Sequence, residues 1–143
     1  MKDDHPHPDI RANDSPSTMR GMTLSEKRGR FELYARVDEM GPDLLVTLWG
    51  GAVHIGALGM AVPRPSLRDP NEKSATSSVF TFPGHKEDMT VKLVSEGLSG
   101  RLGRNVVVVA GIHWDALKPE EIREIMEASE ALMGRIVLEL KKA

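Results

Sequence analysis

The segment Asn105-Val106-Val107-Val108-Val109-Ala110 decides the fold class. Four consecutive valines leave no polar face, which is the signature of a strand covered on both sides. The neighbours of this strand are therefore expected in layers above and below it. Toward the C-terminus, Lys118-Pro119-Glu120-Glu121 opens a helix, with proline at the first helical position and acids where the helix dipole favours them. Ile122, Ile125, Met126, Ser129, Leu132, Met133, Ile136 and Leu140 keep a 3.6-residue period, and the spacing predicts a helix over 119–141. Toward the N-terminus, Met89, Leu93, Val94, Gly97, Leu98 and Leu102 fall on one helical face, and Gly103 suits the position that ends a helix near 87–102.

Further upstream the period changes to two. Phe31, Leu33, Ala35 and Val37 alternate with polar residues, Gly41-Pro42-Asp43 supplies a turn, and Leu44 to Trp49 reads as a second strand. After Gly50-Gly51 a third strand spans Val53 to Val62, so these three are expected as an antiparallel meander. Gly56 and Gly59 in the third strand suggest a bulge or a closely packed neighbour. Residues 63–76, with three prolines, read as a long polar loop, and Ser78 to Phe82 as a short strand. Residues 1–22 mix Asp, Pro, Ser, Asn and His without apolar clusters and are expected as a disordered tail, leaving 23–143 as a single domain. The fold class is α+β: a mainly antiparallel sheet with two helices on one face, in the order β-β-β-β-α-β-α.

A chain of 143 residues with 40% hydrophobic content can build one core without staples, and it has no cysteine for disulfide or thiol chemistry. A formal charge of −2 gives no basic footprint for nucleic acid. No apolar stretch is long enough to span a bilayer, and Met1 to Pro8 lacks the apolar run of a signal peptide, so no membrane partner and a cytoplasmic location are expected.

Three glycine-histidine motifs mark strand ends: Gly50-Gly51-Ala52-Val53-His54-Ile55-Gly56, Pro83-Gly84-His85-Lys86-Glu87-Asp88 and Gly111-Ile112-His113-Trp114-Asp115. Glycines at such junctions let backbone N–H groups approach a phosphorylated or planar ligand. Gly84-His85-Lys86 precedes a helix, where free N–H groups, the dipole and the Lys86 charge favour an anion. His113 can hydrogen-bond a ligand while Asp115 orients its ring, and Trp114 offers a stacking surface. The plainer alternatives are that Gly84 permits a turn, that Trp114 completes the core, and that His54 and His113 are satisfied structural histidines. His54, His85 and His113 with Asp88 and Asp115 have zinc-ligand chemistry only if they converge, and no dense ligand spacing assigns a metal. There is no nucleophile motif, so no catalytic residue is assigned.

Together, Gly50 to Gly56, Pro83 to Asp88 and Val106-Val107-Val108-Val109-Ala110-Gly111-Ile112-His113 resemble the motifs of the LpdD-like prenylated-flavin chaperone family, from about Gly29 to Leu140. That family is similar in fold to proteasome assembly chaperones, small proteins that pair and act by binding. The resemblance implies a non-catalytic accessory protein that holds prenylated FMN, and FMN more weakly, and passes it to a UbiD-type decarboxylase acting on aromatic acids. It implies a cofactor site built from Gly50, Gly51, His54, Gly84, His85, Lys86, Gly111, His113 and Trp114. The phosphate is expected at Gly84-His85-Lys86 and the ring near His54 and His113. Two other readings remain open: a protein-only scaffold of the assembly-chaperone type, and a small metal-dependent hydrolase. Exposed sheet edges, and the pairing of the suspected relatives, lead to the expectation of a homodimer.

Overall fold

The computed structural model describes residues 20–84 and 87–142. Six strands and two helices follow one another as β1 (Arg20–Arg28), β2 (Phe31–Met40), β3 (Asp43–Gly51), β4 (Ala57–Pro65), β5 (Lys73–Thr81), α1 (Asp88–Leu102), β6 (Val106–His113) and α2 (Pro119–Lys141). The strands form one sheet in the order β1-β2-β3-β6-β4-β5. All pairings are antiparallel except β3 with β6, which run parallel with Leu44 opposite Val106 and Gly51 opposite His113.

Three expectations are corrected. β3 and β4 are not neighbours in a meander, because β6 lies between them. Local pattern reports both strands but is silent on insertion by a strand from far along the chain. A further strand, β1, pairs with β2 from Arg20↔Glu39 to Arg28↔Phe31, beginning inside the segment expected as tail. Its polar composition hid it: it is an edge strand, and Met22 and Leu24 alone contribute apolar packing to the core. Residues 1–19 lie outside the described residues. The expected loop at 63–76 is also shorter. β4 continues to Pro65 and β5 starts at Lys73, with Pro63 opposite Ala75, because proline is tolerated where one strand side needs no N–H donor.

The core lies between the sheet and two helices on one face. Phe31, Leu33, Ala35 and Val37 from β2, Leu44, Val46 and Leu48 from β3, and Val106, Val108 and Ala110 from β6 meet Val91, Val94 and Leu98 of α1 and Leu132 and Ile136 of α2. α1 lies over β4, β5 and β6, while α2 lies over β1 and β2 and against α1. The valine run is therefore covered completely on one side only. Val107 and Val109 point to the opposite, open face, where flanking side chains such as Leu45, Thr47 and Leu58 leave them half-buried. A β-branched run thus reflects central position in the sheet rather than a layer on each side.

α1 also presents a different face from the one its apolar residues suggest. Thr90, Val91, Val94, Ser95, Leu98 and Ser99 are buried, while Met89 is exposed. Close approach selects this face. A Cβ at Gly59 would come 2.7 Å from the Val91 carbonyl oxygen, so glycine in β4 and small residues on α1 let helix and sheet touch. Gly103 adopts φ 64° and its N–H bonds Ser99 O, ending α1 as expected. Among the described residues no helix is long and apolar enough to cross a membrane.

Candidate functional site

At one end of the sheet, where β3 and β6 finish and α1 begins, Gly84, Glu87, Thr90, His113, Ile112, Trp114, Leu117, Ile122, Ile125 and Met126 line an open cavity of about 380 Å³. That size lies in the range of small-molecule sites, which combine apolar walls with a few placed polar groups. The wall is supplied mainly by the β6–α2 connection and the first turns of α2. Ile122, predicted to face the core, is exposed and lies on this wall.

Glycines build the floor by admitting other parts of the protein. A Cβ at Gly50 would come 2.5 Å from the Trp114 ring, one at Gly51 would meet the His113 carbonyl, and one at Gly111 would overlap the His54 carbonyl. Gly51 also has φ 68°, and Ala52 N–H bonds His113 O at 3.0 Å. These contacts fold the 52–56 segment across the end of β6, which Gly56 N–H completes by bonding Ala110 O. His54 and His113 thereby converge, with ring centroids 6.2 Å apart and planes at 89°.

His54 is pinned at both ring nitrogens. Nδ1 lies 2.8 Å from Ala52 O, and Nε2 lies 3.0 Å from Glu87 Oε1. Glu87 precedes the first turn of α1 yet makes no side-chain cap. Its carboxylate turns inward over Gly56, where Oε1 also accepts Ile112 N–H at 3.3 Å. Only 7% of the side chain is exposed, and Oε2 is buried without a hydrogen-bond partner. His113 is paired with Asp115, Nε2 to Oδ1 3.0 Å, but this pair is open to solvent, with Asp115 97% exposed. Asp115 thus has the orienting geometry expected of it in a setting where water competes.

Trp114 joins the core, as the plainer alternative has it, and also lines the cavity. Its ring meets Phe31 edge-on at 4.9 Å, joining the core, and it also forms cavity wall. Trp49 belongs elsewhere: it stacks on Tyr34 at 5.5 Å on the open sheet face, away from the cavity. Gly84, at φ 81° with open space where a Cβ would stand, sits at the cavity edge. His85 and Lys86 lie outside the described residues. Among the described residues no three His, Asp or Glu side chains are grouped to hold a metal ion. Glu87 is the residue that sequence reasoning missed. It stood within a quoted motif, but nothing local marks a helix-start glutamate as turned inward toward a histidine far upstream.

The chain belongs to the prenylated flavin chaperone LpdD-like family, whose model matches residues 27–141. In three dimensions it is similar to a chain of a novel chaperone complex for yeast 20S proteasome assembly, with 11% identity, a TM-score of 0.46, and coverage of 85% of this chain and 96% of that one. No curated protein is similar enough to count as a relative.

Proposed function

We propose that this LpdD-like chain is a non-catalytic carrier that holds prenylated FMN in the cavity beside His113 and Trp114 and passes it to a UbiD-type decarboxylase. The observation that carries this reading is the cavity itself: apolar walls and two histidines at the meeting point of all three glycine motifs, in a member of a prenylated-flavin chaperone family. An isoalloxazine ring is flat and largely apolar, which suits the Trp114, Ile122 and Met126 walls. The phosphate is assigned to the Gly84-His85-Lys86 segment, of which Gly84 stands at the cavity edge. Gly50, Gly51 and Gly111 act in this account by shaping the floor, and His54, His113 and Trp114 by contacting the ring. FMN binds more weakly because it lacks the prenyl-derived ring that fills the apolar wall.

Equilibrium dialysis against prenylated FMN, followed by mixing the loaded protein with an apo-decarboxylase, tests both halves. Retained flavin that moves to the decarboxylase and restores its activity is the expected result. Failure to retain flavin favours the protein-only scaffold.

The carrier is proposed to work as a homodimer through the open face of the sheet. Leu58, Met60 and Val62 of β4, Phe80 of β5, Leu45 of β3 and Val107 and Val109 of β6 form a continuous apolar strip there by strand register. Met60 is 50% and Phe80 61% exposed. The four strands β3, β6, β4 and β5, with about six residues of each, make a strip of roughly 19 Å by 20 Å, on the order of 400 Å² in plan. That is the size of an apolar patch that marks an interaction site, and a second copy offers a matching strip.

A further inference from the structure

We infer that Thr90 is a ligand contact: its hydroxyl donates a hydrogen bond to the ring carbonyl on the phosphate-bearing edge of the bound flavin. The inference rests on the flavin reading above and adds the residue that orients the ring. Thr90 lies in the first turn of α1, lines the cavity and is 6% exposed. Its Oγ1 donates to Met126 Sδ of α2 at 3.5 Å, and the hydroxyl has no other partner among the described residues. A thioether is a weak acceptor, whereas a buried hydroxyl ordinarily finds a strong one.

A better partner has a way in. Thr90 and Met126 both line the cavity and belong to different helices, so their contact runs along its wall. Met126 is half-buried, and its unbranched side chain can turn the sulfur aside with no backbone movement, which opens the hydroxyl to the cavity. By contrast, Glu87 Oε1 already takes Ile112 N–H and contacts His54, and His113 Nε2 is engaged by Asp115.

The polarity of the contact follows from the bond it replaces. The hydroxyl donates to sulfur, so the group that displaces the sulfur must accept. A flavin offers two ring carbonyls, both stronger acceptors than a thioether. The carbonyl at C2 lies on the edge that carries the ribityl phosphate, and the one at C4 on the opposite edge. Thr90 follows the Gly84-His85-Lys86 segment closely in the chain, so a phosphate there and the C2 oxygen at Thr90 are compatible with one pose. The opposite edge, which carries the prenyl-derived ring, is then left to the apolar Ile122 and Ile125 of α2.

Titration of the wild-type protein, Thr90→Val and Thr90→Ser with prenylated FMN, beside urea unfolding of each, tests this. Valine keeps the shape and removes the donor, so affinity should fall about tenfold while the unfolding midpoint stays or rises. Serine restores the hydroxyl and should bind within about threefold of wild type. FMN and 2-thio-FMN, with sulfur in place of the C2 oxygen, locate the contact: the ratio of their affinities should shift several-fold between wild type and Thr90→Val. An unchanged ratio, equal binding of prenylated FMN by wild type and Thr90→Val, or a loss that serine does not restore overturns the role of Thr90 and leaves the flavin reading intact. A wild-type protein that binds no flavin overturns that reading, and this inference with it.

Discussion

Glu87 and His54, from the start of α1 and the β3–β4 connection, meet at 3.0 Å, and the contact ties three elements together because the same oxygen takes Ile112 N–H from β6. His54→Ala leaves a buried carboxylate with one donor fewer, and it should destabilise the fold by about 1–3 kcal/mol in urea unfolding. No change in the unfolding midpoint would show that the contact contributes nothing to holding the segment in place.

Two glycines predict opposite responses to the same substitution. Gly111→Ala would drive its methyl into the His54 backbone, where nothing flexible can yield, and should cost about 1–3 kcal/mol or more. Gly134, in the middle of α2 with open space around it, should gain about 0.4–1 kcal/mol on becoming alanine through helix propensity and a less flexible unfolded chain. Thermal melts of the two variants check both signs.

Acid should loosen the attachment of α2. Glu26 of β1 is held below the ordinary glutamate value of 4.5 by its hydrogen bond to Arg28 and by Arg135 of α2, and Glu121 is lowered by Arg30 and by the Lys118 backbone N–H. A carboxylate whose folded value is depressed contributes its stability above the unfolded value and loses it as pH falls through the folded one. Unfolding free energy measured between about pH 6 and pH 3 should therefore drop below about pH 4.5, with a shallower fall in Glu26→Gln.

Placing a charge on the open sheet face should separate the proposed dimer. Met60→Asp leaves the helix-side core untouched, so the variant should stay folded and sediment as the 15.7 kDa monomer while wild type sediments at twice that mass. A wild-type protein that remains monomeric at micromolar concentration leaves the apolar face to a different partner, and the decarboxylase becomes the first to test there.

Much of this fold was legible because its elements are written in local periodicity. The α2 stripe from Ile125 onward, the Phe31 to Val37 alternation and the Gly103 stop need no tertiary information, and each stands where the pattern places it. The position of β6 between β3 and β4 was not legible, since backbone pairing leaves no mark on either strand's composition. The buried face of α1 was hidden for a related reason: Ser95, Ser99 and Gly59 are chosen for closeness, and small size is a weak sequence signal beside an exposed Met89. At the candidate site, the glycine-histidine motifs meet at one end of the sheet, where His54, Gly84, His113 and Trp114 gather. Glu87 escaped notice because its meaning comes from His54, which lies 33 residues away.

The most direct measurement is a titration of the wild-type protein, His113→Ala and Lys86→Ala with prenylated FMN, followed by its absorbance. The account predicts binding by wild type and weaker binding by both variants. Lys86→Ala should lose roughly tenfold to a hundredfold, the worth of one desolvated charge-assisted contact. His113→Ala should lose flavin affinity while leaving inorganic phosphate binding nearly unchanged. Equal binding by all three proteins, or binding by none, would contradict the assignment of the cavity as the prenylated-flavin site.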